Sequence, residues 1–265
     1  GADVHGPVKA AIEGFITSCW DVGLEIGSSV RTLDECLSES QADVTVQTAL
    51  LEARPLAGEA GLFRELSRRF MRAMDAKAFF RAKTLEALQR HTKFDDTPYA
   101  LEPNCKESPG GLRDLQMLIW IARAAGLGKT WKELSARGLI TAFESRQLQR
   151  NEGQLRLIRA RLHAVAGRRE DRLVFDLQTA VAHSFGFQPT GAQRASEVLM
   201  RRYYWAAKAV TQLHQILLLN LEEQINGSQQ DLLHPLDGHP EFLDRGRMLE
   251  VATDDLYQRD PQAIL

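Results

Sequence analysis

The sequence has few cysteines and no long apolar run. Three cysteines occur in 265 residues, and none of them forms a C-x-x-C pair. This number and spacing predict neither a disulfide framework nor a zinc site, so a reducing cytoplasm is the simplest compartment. The longest apolar stretches, such as 117–122, are far shorter than the roughly 20 residues that a membrane-spanning helix needs. We therefore expect no contact with a membrane interior.

Neither sign of charge is in excess. The chain has 33 lysines and arginines against 35 acidic residues, a formal net charge of −2. Nucleic-acid-binding domains usually have a strongly basic balance, so we expect no nucleic-acid partner. The 44% hydrophobic and 26% charged content is typical of a globular protein with a real core.

Apolar residues at three- and four-residue steps predict a mainly α protein. The predicted helices cover residues 8–20, 42–57, 62–74, 76–94, 112–125, 131–137, 141–166 and 192–225. The last carries an almost unbroken apolar stripe from Leu199 to Leu221, which we expect to be core. Residues 227–240 contain Gly, Ser and two His-Pro steps, which predict a loop or linker.

One early segment, residues 24–31, has the β-branched residues and approximate alternation of a strand. A lone strand leaves its backbone donors and acceptors unpaired, so it must join a sheet supplied from elsewhere. We therefore expect the chain to be truncated.

The segment with most chemical content is E-P-N-C-K-E-S-P-G-G-L-R-D-L, residues 102–115. Gly110 and Gly111 predict a tight turn whose amides can approach a ligand, and the helix that follows favours an anion. Lys106 and Arg113 bracket the turn, and Asp114 could orient Arg113 or cap the helix. The pattern predicts a phosphate cradle; the alternative is a capped turn with a surface ion pair.

These residues also resemble the signature of bacterial protein-PII uridylyltransferase/uridylyl-removing enzymes. Two further stretches are similar to that family: W-D-V-G-L-E-I-G-S-S-V-R-T at 20–32 and G-R-R-E-D-R-L-V-F-D-L-Q at 167–178. The resemblance implies a helical bundle domain appended to the remnant, a helix plus a strand, of a polymerase-β-like α+β nucleotidyltransferase domain. The expected domains are 1–40 for that remnant, 41–227 for the helical domain and 228–265 for a linker.

The resemblance implies transfer of UMP from UTP to a tyrosine of the PII protein, and its removal, in nitrogen regulation. Glu25 matches the third carboxylate of a two-metal Mg²⁺ site. Lys106, Gly110, Gly111, Arg113 and Asp114 would bind or position the nucleotide. We expect Glu25 and Arg113 to border one cavity.

This sequence departs from the family pattern in what it lacks. The glycine-rich opening and paired Asp-x-Asp of the nucleotidyltransferase domain, the His-Asp hydrolase domain and the C-terminal sensing domains are expected outside it. One carboxylate cannot form a Mg²⁺ site, so the metal site is incomplete and the fragment alone is expected to be inactive.

Two other segments invite a functional interpretation. The string G-L-G-K-T at 126–130 mimics the end of a P-loop but follows a helix, so a helix C-cap is the better interpretation. Arg168, Arg169 and Arg172 cluster where a helix ends and could contact a nucleotide or acidic residues of a protein substrate. Alternatively, Asp171 and Asp176 pair with these arginines and fix the next helix.

Two other functions fit less well. One is an adenylyltransferase acting on glutamine synthetase, whose helical region has a related Lys, Gly-Gly, Arg-Asp pattern. The other is a helical interaction module without chemistry, in which Glu25 and Lys106 are surface charges.

Overall fold

The computed structural model describes residues 6–227, 234–244, 249–253 and 255–264. Within these ranges the chain is mainly helical, which confirms the predicted fold class. The α-helices are α1 (Pro7–Asp21), α2 (Leu33–Ala42), α3 (Val44–Glu52), α4 (Ala60–Ala73), α5 (Ala76–Lys93), α6 (Leu112–Ala124), α7 (Trp131–Ala136), α8 (Ala142–Ala166), α9 (Phe175–Ser184), α10 (Ala195–Asn226) and α11 (Leu256–Arg259), followed by a 3₁₀ helix at Pro261–Ile264.

Local capping signals set most helix ends. In α8, Thr141 and Glu144 form a reciprocal capping box, and Gly167 ends the helix with φ 64°. The prediction over 42–57 is too long, because α3 ends at Glu52, and α2, α9 and α11 were not among the predicted helices. The Thr32–Glu35 capping box is the signal that could have revealed α2. The other predicted helices are confirmed, with ends displaced by at most three residues.

Helix α10 is the centre of the core, and it packs on α5, α6, α8 and α9. Its predicted apolar stripe is buried throughout, which confirms its role as core. The stripe comprises Leu199, Tyr203, Ala206, Val210, Leu213, Leu217 and Leu221. Buried side chains of α6 complete this core, so the loop that precedes α6 leads directly into a buried helix.

The strand predicted at 24–31 is wrong: these residues continue from α1 in an exposed, unpaired conformation. Helix α1 buries none of its side chains in the described part of the chain. The pattern of alternation is present, but no strand in the described part of the chain pairs with these residues.

A small antiparallel sheet lies instead near the end of the described chain. Its strands are β1 (His234–Leu236), β2 (His239–Asp244) and β3 (Leu249–Val251), in the order β1-β2-β3. The loop predicted over 227–240 is therefore wrong where β1 and the start of β2 form, and residues 228–233 lie outside the described ranges. The domain boundaries stay a prediction, and the one at residue 40 falls within α2. No helix in the described ranges has both the length and the apolar character needed to span a membrane.

Candidate functional site

Residues 104–111 form a tight loop that leads into α6. Asn104 Oδ1 accepts hydrogen bonds from the amides of Lys106 at 3.0 Å and Glu107 at 2.8 Å. The Ser108 hydroxyl accepts the amide of Asn104 at 3.0 Å and is fully buried. These hydrogen bonds from side chains to the backbone replace the backbone-to-backbone hydrogen bonds of a helix or sheet. They explain the Asn and Ser of the motif as residues that shape the loop.

The two glycines bring the loop against its neighbours. Gly110 has φ 75°, and a Cβ built on it would lie 2.2 Å from the carbonyl oxygen of Ala207 in α10. A Cβ on Gly111 would lie 2.8 Å from the carbonyl oxygens of Lys106 and Ser108. Only a residue without a side chain fits either position, because the contacts are with backbone. The glycine pair thus allows close packing of the turn on α10.

The amides around the turn are already bound within the protein. Gly110 N–H donates to Asp114 Oδ2 at 2.8 Å, and Gly111 N–H donates to the carbonyl of Ser108 at 2.8 Å. The next amides, of Leu112 and Arg113, donate to carbonyls of the preceding loop at 3.0 and 2.8 Å. The predicted phosphate cradle of glycine amides does not fit this geometry. The turn is instead a packed joint between the loop, α6 and α10.

Asp114 is the buried acceptor of this joint. Its side chain is 1% exposed, and Oδ1 accepts from Arg90 at 2.7 Å and contacts His91 Nε2 at 2.9 Å. Burial alone would raise the pKa of Asp114, but the His91 hydrogen bond and the charges of His214 and Arg90 outweigh burial and lower it to about 2. The prediction that Asp114 orients Arg113 is therefore wrong: Asp114 holds Arg90.

Arg113 has other partners. Its guanidinium donates to Gln116 Oε1 at 3.1 Å and to Glu107 Oε1 at 3.2 Å, and it lies 5.2 Å from the centre of the Trp120 ring. Lys106 Nζ meets the same Glu107 oxygen at 3.1 Å. The structure thus brings Lys106 and Arg113 together, as the sequence predicted, with Glu107 between them.

Arg113 borders a hollow between α3, α5 and α6 with a volume of about 630 Å³. We call it the α5–α6 hollow. It is lined by Thr45, Thr48, Ala49, Glu52, Lys83, Glu86, Ala87, Gln89, Arg90, Lys93, Glu107, Arg113, Met117 and Trp120. Four of these residues are cationic and three are acidic, and Lys106 adds a further cation beside Glu107. The hollow combines apolar side chains with charges of both signs, and the cations are in excess.

Lys83, the most buried cation of this hollow, was not predicted from the sequence. Lys83 is 5% exposed, its Nζ lies 5.7 Å and 5.3 Å from the ring centres of Phe79 and Trp120, and it pairs with Glu86 at 2.8 Å. A cation between aromatic rings is stabilised by their quadrupoles. Its position one helical turn after buried Phe79 is the signal that could have revealed it.

Glu25 lies at a different place. It lines a shallow surface hollow formed by Trp20 and residues 23–27, and this hollow shares no residue with the α5–α6 hollow. The expectation that Glu25 and Arg113 border one cavity is not met in the described part of the chain. No group of three or more His, Cys, Asp or Glu side chains there could hold a metal. The described residues therefore do not fit a Mg²⁺ site, which needs several oxygen ligands.

The three predicted contact arginines lie at the surface beyond α8. Arg168 pairs with Glu170 at 3.0 Å, Arg172 pairs with Glu102 at 3.4 Å, and Arg169 is exposed. The alternative pairing with Asp171 and Asp176 is wrong. Asp171 instead accepts from Arg159 at 2.5 Å and contacts His163 Nε2 at 2.9 Å.

The P-loop-like string is a helix end, as predicted. Gly126 N–H donates to the carbonyl of Arg123 at 3.0 Å and Leu127 N–H to that of Ala122 at 2.8 Å, with Gly126 at φ 68°. This is a Schellman motif, which ends α6. Thr130 then caps α7.

Comparison with known proteins gives consistent matches. The family model described as GlnD PII-uridylyltransferase matches residues 78–218, more than half of the chain. Proteins named bifunctional uridylyltransferase/uridylyl-removing enzyme are similar over 99% of this chain: 61% identical in Burkholderia mallei (strain SAVP1) and Burkholderia pseudomallei (strain 668), and 60% in Burkholderia thailandensis. The chain spans 31% of the length of each of these relatives. No solved structure matches.

Proposed function

The chain belongs to the GlnD PII-uridylyltransferase family, and from this premise we propose that the protein transfers UMP from UTP to a tyrosine of the PII protein and also removes it. The observation that carries the proposal is the 61% identity over 264 residues to enzymes named for both activities. Cytoplasmic action in nitrogen regulation, with Mg²⁺ as the metal, belongs to the same proposal. The adenylyltransferase alternative is not favoured by these relatives.

The transfer is a displacement at phosphorus. The tyrosine oxygen forms a bond to the α-phosphorus of UTP, the bond to the bridging oxygen of the β-phosphate breaks, and pyrophosphate leaves while the tyrosine loses its proton. Charge on the phosphate oxygens must be balanced throughout this step. Protein cations that reach the triphosphate would therefore contribute to binding and to the rate.

We assign this role to the cations of the α5–α6 hollow. Arg90, Lys106 and Arg113 surround Glu107, and Asp114 pairs with Arg90, so three positive charges face two negative ones. The side chains of Lys106 and Arg113, and not the amides of Gly110 and Gly111, would meet the triphosphate. The glycines and Asp114 would position the loop, because they fix it to α10 and to Arg90. Glu25 stays a candidate for a single carboxylate ligand.

The test uses the protein in its full natural length. It is incubated with a PII protein, Mg²⁺ and UTP or ATP labelled in the α-phosphate, and the label on PII is counted. We expect label from UTP and loss of that label on longer incubation under removal conditions. In a parallel incubation with glutamine synthetase in place of PII, label from ATP but not from UTP would favour the adenylyltransferase. Binding of PII without any transfer would favour an interaction module.

The place of the nucleotide is tested separately with Arg113→Gln. We expect the Michaelis constant for UTP to rise about tenfold, a value typical for loss of one charge-assisted phosphate contact. Arg81→Gln is the matched control, because Arg81 is an exposed arginine of α5 outside the hollow. Lower thermal stability with an unchanged constant for UTP would assign Arg113 a structural role.

A further inference from the structure

A second surface, away from the α5–α6 hollow, exposes large apolar side chains. Tyr99, Leu101, Phe175 and Trp205 have 52%, 68%, 57% and 65% of their surface exposed. We call this surface the aromatic face. Single exposed apolar residues are ordinary, but contiguous ones mark interaction sites.

Hydrogen bonds and a ring contact connect the segments that carry the aromatic face. The Tyr204 ring lies 5.9 Å from the Tyr99 ring, and its hydroxyl donates to the carbonyl of Ala100 at 3.0 Å. Phe175 N–H donates to Glu102 Oε1 at 2.8 Å, which ties α9 to the same loop. The face is therefore one surface built from the 99–102 loop, the start of α9 and one side of α10.

Cations accompany these aromatic side chains. The Arg201 guanidinium lies 5.4 Å from the centre of the Trp205 ring, and Lys208 follows on the same side of α10. Neither Arg201 nor Lys208 has a carboxylate within ion-pair distance in the described part of the chain. A surface hollow of about 440 Å³ runs between them, lined by Tyr99, Glu197, Met200, Arg201, Tyr204, Trp205 and Lys208.

We propose that the aromatic face docks the protein substrate, through a segment of that substrate that carries apolar and acidic side chains. The inference rests on the proposed function. Trp, Tyr and Arg are the residues that most often carry binding energy between proteins. The unpaired cations complement acidic groups, and this complementarity favours one orientation of the partner. Arg172, at 60% exposure, pairs with Glu102, and the other oxygen of that carboxylate accepts the amide of Phe175.

A folded protein fits this face better than a nucleic acid. Leu101, at 68% exposure, offers aliphatic surface, whereas single-stranded nucleic acid is bound by aromatic stacking in a long basic groove. The net charge of −2 for the chain also lacks the basic excess of such proteins.

The experiment compares Trp205→Glu and Arg201→Glu in the full-length protein. We expect the Michaelis constant for PII to rise at least tenfold while that for UTP changes less than twofold. Trp205→Phe should recover most of the loss, because it keeps an aromatic anchor. Phe143→Glu is the matched control: Phe143 is 61% exposed on α8, outside the face, and should leave both constants unchanged.

Other results would overturn the inference. One such result is an unchanged Michaelis constant for PII in both variants. Another is a lower melting temperature together with equal changes in the Michaelis constants for UTP and PII, because that combination indicates that the face makes a contact within the protein. Loss of binding to a single-stranded oligonucleotide, with PII unaffected, would assign the face to nucleic acid. Direct binding of PII by calorimetry separates the two proposals: binding that needs Trp205, without any transfer of UMP, would reject the proposed function and retain the face.

Discussion

The amide of Gly110 donates a 2.8 Å hydrogen bond to Asp114, four residues ahead, and so ties the glycine turn to the first turn of α6. The same carboxylate holds Arg90 of α5, and the glycine itself touches the backbone of α10. Three helices therefore meet at this turn. The residues of the motif that resemble a ligand site are largely occupied by holding the helices together.

Gly110→Ala should destabilise the protein strongly. The new Cβ would meet the Ala207 carbonyl and the residue would keep φ 75°, so we expect a loss of about 3 kcal/mol or more in the free energy of unfolding. Gly138→Ala is the matched control, because Gly138 has φ 76° and no atom within 4 Å of its Cβ position. It should cost about 1–2 kcal/mol. Urea denaturation measures both, and equal losses would contradict the close-packing argument.

Asp114→Asn should also destabilise, by about 3 kcal/mol. The change leaves the guanidinium of Arg90 buried without its carboxylate, and broken buried ion pairs have costs of this size. Asp176→Asn, at an exposed carboxylate in the first turn of α9, should cost less than about 1 kcal/mol. Chemical denaturation at pH 7 distinguishes them; a similar small loss for both would show that the Arg90 pair contributes little.

The stability of the protein should fall as the pH is lowered below about 6.5. Burial lowers the pKa of His214 below its ordinary 6.5. The charges of His91 and Arg90 lower this pKa further, and the Asp114 carboxylate opposes the shift without outweighing it. The unfolded chain therefore binds a proton that the folded chain resists, so acidification favours unfolding. Asp114, whose pKa is lowered to about 2, adds a second loss between about pH 4 and 2.

His214→Leu separates the two groups. This variant should flatten the pH dependence of the unfolding free energy just below pH 6.5 and leave the loss between about pH 4 and 2. His183→Leu is the control, since His183 is exposed near the end of α9. Urea denaturation across pH 4–8 makes the measurement, and an unchanged slope in His214→Leu would reject the assignment.

Lys83→Met should weaken UTP binding without unfolding the protein. Methionine keeps an unbranched apolar stem between Phe79 and Trp120, while the charge at the hollow is lost. If the hollow binds the triphosphate, the Michaelis constant for UTP should rise about tenfold. Lys77→Met, at an exposed lysine of the same helix, should have no effect. Steady-state kinetics of the full-length protein give the result. Equal Michaelis constants for UTP in the two variants would show that the nucleotide does not bind in the α5–α6 hollow.

The three thiols should differ in reactivity. Cys105 is fully buried, and burial, with the nearby charge of Asp171, raises its pKa to about 12, whereas Cys19 and Cys36 are partly exposed. The thiolate is the reactive form, so a disulfide reagent at pH 8 should titrate two thiols quickly and the third only after unfolding. Three fast thiols in the native protein would contradict the burial of Cys105.

Helices were predictable here because their signals are local. Apolar spacing and caps located α5, α6, α8 and α10, since both depend on residues a few positions apart. The strand at 24–31 failed for the opposite reason: alternation describes a strand but does not supply the partner that a strand needs.

The site was only partly predictable. The sequence identified the 102–115 motif and the neighbourhood of Lys106 and Arg113. It could not reveal that the Gly110 amide is occupied, because Asp114 is oriented through Arg90 of another helix and Gly110 is confined by Ala207, which lies far along the chain. Lys83 was missed because a lysine in a helix is ordinarily exposed, and its burial depends on Trp120.

The loop at 103–105 pairs backbone to backbone with 171–173. Cys105 N–H donates to the carbonyl of Asp171 at 2.8 Å and Leu173 N–H to that of Pro103 at 2.9 Å, beside an Arg172–Glu102 contact that joins residues 70 apart in sequence. Contacts between segments this far apart in sequence have a high entropic cost of loop closure, so we expect them to form only after the intervening helices have folded back. We expect these two amides to become protected together and later than the amides of α8 in pulsed hydrogen exchange during refolding. A nascent chain could therefore not present Lys106 and Arg113 correctly before residues 171–173, which follow α8, have been synthesised.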